Sequence, residues 1–360
     1  GVKALISPSG GFGDYDVIEE AIASGKCDAV DMARAYIVEP EFARKAAEGR
    51  KEDRIPCIGC NKCHNPPKNK WSTICSVNPM LGLAHSTQSM VRPAVRKKNV
   101  AIIGGGPAGM RAAIFCRERG HSVTIYEKSG VLGGQLTHAD YPDFKWPLKE
   151  YKDYLIRQVT KDDGITVRMN TEATPDMISA EAYDAVIVAI GAEPVIPPVP
   201  GADTVKAWTP IGVYGHEQEL GKRVVIVGGG DSGTETGIYL ADCGHDVTVL
   251  TRKFALASDN MGVHFYDTMK EYWERLPNFR GVVNATTTKV EPGKVFYADA
   301  EGDHVLECDS IVLCGGVRAR DDLVMAFWNC APEVVAAGDC LKPGALNDVN
   351  FSAYSAACRL

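Results

Sequence analysis

The feature that most constrains the fold is a strand, glycine turn, helix and strand that occur twice. Residues 100–127 read VAIIGGGPAGMRAAIFCRERGHSVTIYE, and residues 224–252 read VVIVGGGDSGTETGIYLADCGHDVTVLTR. The two stretches align at a constant offset of 124 positions, which makes chance similarity a poor explanation. The repeat predicts the α/β class, with two Rossmann-like dinucleotide-binding domains, the second inserted into the first. The glycines that the alignment pairs are Gly104 with Gly228, Gly106 with Gly230, and Gly109 with Gly233.

Each glycine turn has the spacing of a dinucleotide-binding motif. In such a motif the first glycine permits the turn, the second lets the backbone approach the pyrophosphate, and the third lets helix and strand pack closely. The helix N-terminus that follows offers its N–H groups to the phosphates. The candidate residues of the first turn are Gly104, Gly106, Pro107, Ala108 and Gly109. Those of the second turn are Gly228, Gly230, Asp231, Ser232 and Gly233.

The residue that ends the second strand differs between the copies. Glu127 lies 23 positions after the first glycine of its motif, about where a ribose-binding carboxylate belongs, and Lys128 follows it. The corresponding position of the second copy is Thr251, followed by Arg252 and Lys253. Arginine and lysine attract a 2′-phosphate that a carboxylate would repel. The second site therefore favours NADP(H), with NADH and a merely solvated basic pair left open.

Further turns of the nucleotide-binding half carry candidate flavin contacts. GGQL, residues 133–136, is a glycine turn placed near the phosphates or the ring of a flavin, and a buried strand leads through Gly191 into a proline-rich crossover. The segment VLCG, ending at Gly315 or the following Gly316, is the expected counterpart of that strand. A strand over 334–337 presents Asp339 either to flavin ribityl hydroxyls or as a cap of a helix from about Phe351. The candidates are Gly134, Gln135, Leu136, Ala173, Gly191 and Asp339.

Four of the twelve cysteines crowd into one loop with the spacing C-x2-C-x2-C-x11-C. The absence of a secretion signal disfavours disulfides. Structural zinc commonly uses two well-separated pairs, whereas three cysteines plus a distant fourth suit a 4Fe–4S cluster. The spacing favours the cluster, zinc remains an alternative, and His64 is not predicted to be a ligand. The predicted ligands are Cys57, Cys60, Cys63 and Cys75, and the other cysteines are expected to be reduced and mostly buried.

Composition and charge exclude several function classes. A formal charge of −7 without a basic block argues against nucleic acid and anionic membranes as partners. No apolar segment approaches the roughly 20 residues that span a bilayer. The start has no secretory signal and no methionine, so we expect Gly1 to be the cut end of a longer, cytoplasmic polypeptide. A small-molecule substrate is the expected partner, and a homo-oligomer is left open.

The first fifty residues have the pattern of two α/β units, which predicts parallel strands. Two such units cannot close a barrel. Gly11 and Arg34 follow the predicted strands, where α/β proteins bind phosphate, and a plain turn with a surface arginine is the alternative. The predicted elements are a strand over 2–6, a helix over 15–24, a strand over 28–32 and a helix over 40–49. The apolar residues expected to face inward from the first helix are Val17, Ile18, Ala21 and Ile22.

Together, the motifs GGGPAG…E, GGQL, VAIGAEPVIPPVPG, GGGDSG and GDC resemble the flavoprotein reductases that bind two dinucleotides. The preceding CIGCNKC-x11-C and the segment DAVDMARAYIVEPEFARKAAEGR narrow the resemblance. The chain is similar to the C-terminal part of the family of 2,4-dienoyl-CoA reductase, 2-enoate reductase and trimethylamine dehydrogenase. The resemblance covers essentially all 360 residues.

That resemblance implies the order of domains and cofactors. The family carries an old-yellow-enzyme-like FMN barrel, a 4Fe–4S loop, and an FAD and nicotinamide module of the glutathione reductase type. Gly11 and Arg34 would then hold the FMN phosphate in the full-length protein, and Glu127 would mark the FAD site. The implied domains are a remnant of the TIM barrel at 1–50, the cysteine loop and linker at 51–97, the FAD domain at 98–205 plus 310–360, and the inserted NAD(P)H domain at 206–309.

The resemblance also implies the activity. NADPH would reduce FAD, and electrons would pass through the cluster to FMN, which reduces an activated C=C bond of an enoate, enone or dienoyl compound. An amine dehydrogenase of the trimethylamine dehydrogenase type, with electrons running the other way, is one alternative. A subunit like the small subunit of glutamate synthase, or an electron-transfer subunit without turnover, are others. No catalytic residue is assigned, because most of the family's substrate barrel is absent.

Overall fold

A computed structural model describes residues 3–64, 73–83, 91–139, 141–258 and 264–360. The chain divides into two compact units. The first comprises Gly1–Thr137, Lys145–Gly191 and Arg320–Leu360, and the second comprises His138–Phe144 and Ala192–Ala319. The second unit thus extends beyond the predicted 206–309 at both ends. The return to the first unit lies at Arg320 and not at 310.

The helices of the described residues share ordinary start signals. Asp14 caps the first helix by accepting from the backbone N–H groups of Asp16 and Val17. Several others have proline in their first turn, where its missing N–H costs nothing. In chain order the helices are α1 (Tyr15–Ala23), α2 (Arg34–Val38), α3 (Phe42–Ala47), α4 (Pro107–Glu118), α5 (Leu136–Ala139), α6 (Trp146–Lys161), α7 (Pro175–Ala180), α8 (Pro210–Val213), α9 (Asp231–Asp242), α10 (His264–Arg275), α11 (Asp321–Ala326) and α12 (Leu346–Arg359).

The strands are short and rich in branched residues. Those that lie centrally are buried along nearly their whole length, as parallel strands covered on both faces are. In chain order the strands are β1 (Asn99–Ile103), β2 (Ser122–Tyr126), β3 (Ile165–Arg168), β4 (Ala185–Val188), β5 (Glu193–Pro194), β6 (Ala207–Trp208), β7 (Arg223–Val227), β8 (Asp246–Leu250), β9 (Phe279–Val282), β10 (Thr286–Glu291), β11 (Lys294–Asp299), β12 (Gly302–Glu307), β13 (Ser310–Leu313), β14 (Val317–Arg318) and β15 (Glu333–Ala336).

The first unit is built on a parallel sheet with the order β15-β4-β1-β2-β3. β1 is central, and its register pairs Ile103 with Tyr126 on one side and with Val188 on the other. The carboxyl ends of these strands therefore meet at one edge, below the N-terminus of α4. This is the edge at which open α/β sheets bind ligands.

The second unit repeats that arrangement with the parallel order β6-β13-β7-β8-β9. An antiparallel sheet, β10-β11-β12, lies in the same unit, and its inward residues share a core with β13 and β7. β13 pairs with β7, which is why residues 310–313 belong to this unit and not to the FAD domain. The predicted α/β class with two Rossmann-like domains is confirmed.

The first fifty residues depart from the predicted strands. The strands predicted over 2–6 and 28–32 are wrong, because the described residues of both segments form no strand and Leu5 is 86% exposed. The two segments are joined by hydrogen bonds such as that from the Asp28 N–H to the Ile6 carbonyl oxygen (2.9 Å), and by a parallel bridge between Ser9 and Asp31. α1 forms, but Val17 and Ile22 are exposed where they were expected to face inward. An apolar pattern predicts a buried strand only if neighbouring strands cover it, and the described residues place none beside this segment. Within the described ranges, none of the helices has the length and apolar character that a bilayer crossing needs.

Candidate functional site

The first glycine turn has the geometry that its motif requires. Gly104 has a φ of +109°, and a Cβ there would lie 2.5 Å from the carbonyl oxygen of Ala189. A Cβ on Gly109 would lie 1.9 Å from the carbonyl oxygen of Gly104. Gly106 is the N-cap of α4, and a Cβ there meets only Gly134, at 3.7 Å. The structure alone therefore fixes Gly104 and Gly109 as glycine, whereas Gly106 leaves open space at the helix N-terminus where a phosphate would bind.

The second glycine turn reproduces this geometry. Gly228 has a φ of +111°, and its Cβ would lie 2.5 Å from the carbonyl oxygen of Cys314. A Cβ on Gly233 would lie 1.9 Å from the carbonyl oxygen of Gly228. Gly230 is the N-cap of α9, so that Asp231 and Ser232 open the helix. The second turn thus repeats the backbone geometry of the first.

Glu127 is buried at the carboxyl end of β2, with 8% of its surface exposed. Its Oε2 accepts a hydrogen bond of 2.8 Å from the backbone N–H of Gly105. Its Oε1 accepts from the backbone N–H and the hydroxyl of Ser129, both at 2.8 Å. A carboxylate has about four acceptor positions, so Oε2 has one left after its bond to Gly105. Glu127 therefore closes the glycine turn and keeps a free acceptor position.

Thr251 occupies the same place in the second unit and is also buried. Its hydroxyl accepts from the backbone N–H of Lys253 at 3.3 Å. Arg252 is exposed and Lys253 half-buried at this strand end. No carboxylate stands at this position, and two cations follow it. This strand end is therefore electropositive where the first unit has a negative charge.

The GGQL turn lies against the first glycine turn. The backbone N–H of Gly133 donates to the carbonyl oxygen of Gly105 at 3.0 Å, and the glycines at 106 and 134 are in contact. Gln135 is exposed on this turn, and Leu136 is buried. Lys128 is exposed beside the strand end, and Ala173 packs against the core of the first unit. The positions that border the first glycine turn or the end of β2 are therefore Gly133, Gly134, Gln135, Leu136 and Lys128.

The structure identifies the counterpart of Gly191 as Gly316, because both follow corresponding strands and have φ values of +68° and +84°. Asp339 lies in a short 3-10 helix after β15, and its Oδ1 accepts from the backbone N–H of Gly344 at 3.1 Å. Burial raises the pKa of this carboxyl. The helix that follows, α12, begins at Leu346 and not at the predicted Phe351.

The four cysteines of the predicted metal site, Cys57, Cys60, Cys63 and Cys75, line one cavity of the first unit. Burial raises the pKa of the thiols of Cys57 and Cys63, and that of Cys75 to about 11. Among the described residues, no group of three or more His, Cys, Asp or Glu is arranged to hold a metal ion. The thiols thus surround a common space without converging on one point.

The two residues predicted to bind the FMN phosphate have different surroundings. Gly11 has a φ of +76° in an open turn, with no atom near the position of a Cβ. Arg34 begins α2, and its Nη1 donates to the side-chain oxygen of Asn61, inside the cysteine loop, at 2.8 Å. Arg34 and Asn61 also line the cysteine cavity. The arginine predicted to hold a phosphate is therefore fastened to the cysteine loop.

Two side chains that the motifs did not single out fasten the cysteine loop to the first unit. Asn350 on α12 is 1% exposed, and its Nδ2 donates to the carbonyl oxygen of Ser76 at 2.6 Å. Its Oδ1 accepts from the hydroxyl of Tyr151 on α6 at 2.8 Å. The only signal in the sequence is that both are polar residues on the apolar faces of helices.

The fold and the paired glycine turns define an oxidoreductase module that binds FAD and NAD(P)H. Residues 98–333 match the pyridine nucleotide-disulphide oxidoreductase family, and the chain belongs to it. The predicted similarity to the C-terminal part of the 2-enoate reductase and trimethylamine dehydrogenase family is confirmed by its relatives.

Three of these relatives illustrate the match. The bilirubin reductase of Mediterraneibacter gnavus (strain CC55_001C) is 33% identical over 336 residues, which cover 92% of this chain and 51% of that protein. The NADH oxidase of Thermoanaerobacter brockii is 32% identical over 352 residues, 95% of this chain and 53% of that protein. The solved complex of 2-naphthoyl-CoA reductase with 2-naphthoyl-CoA has a TM-score of 0.94 at 32% identity and covers all of this chain and 55% of that one. The chain spans about half the length of the curated relatives it matches.

Proposed function

We propose that the chain is the electron-input half of an NADPH-dependent iron–sulfur flavoprotein that reduces an activated C=C bond. The observation that carries this is the placement of four cysteines around one cavity, in the same compact unit as the glycine turn and Glu127. When bound, FAD, the 4Fe–4S cluster and FMN supply the redox chemistry, since amino acid side chains do not carry single electrons readily. Two of the relatives described above are named as reductases of unsaturated compounds, namely bilirubin reductase and 2-naphthoyl-CoA reductase.

The thiol set supports a 4Fe–4S cluster over zinc. Structural zinc commonly takes two well-separated pairs of cysteines. The four cysteines line one cavity, and three closely spaced cysteines with a distant fourth suit a multinuclear centre. The raised pKa values of Cys57, Cys63 and Cys75 keep these three thiols protonated until a cationic centre displaces the protons. In this proposal Cys57, Cys60, Cys63 and Cys75 are the cluster ligands.

The nucleotide sites are proposed to hold different ligands. Glu127 would accept hydrogen bonds from the ribose of FAD, and Asp339 would accept from the ribityl chain. Arg252 and Lys253 would contact the 2′-phosphate of NADPH. Gly11 and Arg34, together with residues outside this chain, would bind the FMN phosphate. The cytoplasm is the proposed location, and the twelve free cysteines support a reducing compartment.

The proposal is tested on the full-length protein, purified without oxygen. We expect iron and acid-labile sulfide in equal amounts, both FAD and FMN, and rapid loss of flavin absorbance on addition of NADPH. Stoichiometric zinc without sulfide would refute the cluster. A flavin that neither NADPH nor NADH bleaches, but that an amine substrate does, would refute the direction of electron flow and support amine dehydrogenation.

A further inference from the structure

The turn after Cys75 has an arrangement that its role as a ligand does not explain. The backbone N–H of Asn78 donates to the sulfur of Cys75 at 3.4 Å, and the backbone N–H of Val77 faces the same sulfur. Ser76, Val77 and Asn78 are all buried, with exposed fractions of 2%, 1% and 8%. Both N–H groups are therefore shielded from water, where their interaction with the sulfur is stronger than at a surface.

The opposite ends of the same two peptide groups are held by side chains of the nucleotide-binding half. The peptide that contributes the Val77 N–H has the Ser76 carbonyl, which accepts from Asn350 at 2.6 Å. The peptide that contributes the Asn78 N–H has the Val77 carbonyl, which accepts from the guanidinium of Arg111 on α4 at 3.4 Å. Each peptide is thus fixed at its oxygen and aims its N–H at the same sulfur.

Both side chains are themselves locked. Asn350 accepts from Tyr151, which is completely buried. Arg111 is 3% exposed, and its guanidinium lies 4.5 Å from the ring centre of Phe115. A donor on the carbonyl oxygen polarises the peptide and makes its N–H a stronger donor, because hydrogen bonds in a chain reinforce one another.

We propose that Asn350 and Arg111 set the reduction potential of the centre bound by Cys75, by orienting and polarising the two peptide N–H groups that face its sulfur. The inference rests on the proposed 4Fe–4S cluster. Hydrogen bonds to the cysteine sulfurs stabilise the reduced form of a cluster, which carries one more negative charge, and so raise its potential. Asn350 and Arg111 are positioning residues, since they act through the backbone and not on the cluster.

A matched control is available on the same helix. Asn347 accepts from Lys62, which lies between two of the cysteines, and so it also links α12 to the cysteine loop. It has no contact with the two peptide groups after Cys75 in the described structure. Loss of the Asn347 contact weakens the attachment of the loop without altering the two N–H groups that face the sulfur.

The test is a redox titration of the full-length holoprotein with dithionite, monitored by the electron paramagnetic resonance of the reduced cluster. We expect Asn350→Leu to lower the midpoint potential so that the one-electron reduction equilibrium falls at least about tenfold, or about 59 mV. Arg111→Met should lower it in the same direction, and Asn347→Leu should leave it within about twofold of the wild type.

Iron and sulfide content separate the outcomes. A wild-type protein without iron and sulfide overturns the cluster assignment, and the inference with it. A wild-type protein with its cluster, but with unchanged potentials in Asn350→Leu and Arg111→Met, overturns the inference alone. If one of these two variants loses its cluster, the potential of the other decides. If both lose it, the residues merely hold the loop and the inference is wrong.

Discussion

The two nucleotide-binding regions share a backbone frame and differ in the side chain that ends the second strand. Corresponding hydrogen bonds of this frame have nearly the same length in both units. The N–H of Gly104 donates to Tyr126 O at 2.8 Å, as that of Gly228 donates to Leu250 O at 2.9 Å. The N–H of Glu127 donates to Arg168 O, as that of Thr251 donates to Val282 O, both at 2.9 Å. The N–H of Thr171 donates to Glu127 O at 2.8 Å, as that of Ala285 donates to Thr251 O at 2.9 Å.

The backbone frame is common to both units, whereas the side chain at the end of the second strand differs in charge. In the first unit the Glu127 carboxylate accepts from the glycine turn itself. In the second, the side-chain hydroxyl of Thr251 accepts only from the N–H of its neighbour Lys253 among the hydrogen bonds described. The charge at the strand end can therefore change sign without a change in the sheet or in the glycine turn.

We expect the largest loss of nucleotide binding from a substitution that distorts one backbone frame and leaves the other intact. Gly109→Ala places a Cβ 1.9 Å from a carbonyl oxygen, which forces α4 away from the sheet. FAD affinity should fall by about 100-fold or more, the equivalent of about 3 kcal/mol, with FAD content measured after gel filtration. Gly233→Ala should keep FAD and lose NADPH binding, measured by calorimetry.

Gly106→Ala is the control for that pair, since its Cβ has room in the protein alone. It should leave the free energy of unfolding within about 0.5 kcal/mol of the wild type but weaken FAD binding, because the pyrophosphate needs the close approach. If Gly233→Ala also releases FAD, the two frames are not independent.

The next prediction tests the difference in charge between the ends of β2 and β8. Arg252→Ala and Lys253→Ala together should raise the Kd of NADPH about 100-fold or more, since each removes a charge-assisted contact worth about 1.5 kcal/mol or more. The Kd of NADH, which lacks the 2′-phosphate, should change less than about threefold. Both constants are measured by fluorescence titration, and equal losses for the two nucleotides would contradict the assignment.

A smaller effect concerns stability. Glu127→Ala leaves the buried N–H of Gly105 without its acceptor, which should lower the free energy of unfolding of the FAD-free protein by about 1–3 kcal/mol. Urea unfolding followed by circular dichroism measures this. Ser129→Ala keeps the carboxylate and should cost less, so an equal loss would show that the serine and not the glycine turn matters.

The smallest effect is the matched change in the second unit. Thr251→Val keeps the shape and removes one hydroxyl that accepts a 3.3 Å hydrogen bond. It should cost less than about 1 kcal/mol in the same unfolding measurement. A loss as large as that of Glu127→Ala would mean that Thr251 stabilises its glycine turn as the glutamate does.

The glycine frames were predictable because their spacing reflects contacts within one strand-turn-helix unit. The repeat even extends beyond the aligned motifs, since Ala257 donates to Gly229 O at 2.9 Å as Gly133 donates to Gly105 O. That extension was missed because Ala257, with a φ of +45°, stands where the first copy has a glycine. A positive φ on alanine leaves no trace in a sequence pattern.

The sequence could not predict contacts between segments that are distant along the chain. Asn350 and Ser76 are 274 positions apart, and nothing local marks an asparagine on a helix as a partner of a backbone carbonyl. The exposure of Leu5 and Val17 was missed for the opposite reason, because their pattern is that of buried elements while the described chain provides no neighbours to cover them. The cysteine loop was found because its spacing is a property of the loop itself.

The crossover between the second and third strands differs in length between the units. It contains the 16-residue helix α6 in the first and the 12-residue helix α10 in the second. Yet the strand ends that follow align in the same way, Tyr126 with Arg168 and Leu250 with Val282. The crossover can therefore change in length while the register of the strands on either side of it stays the same.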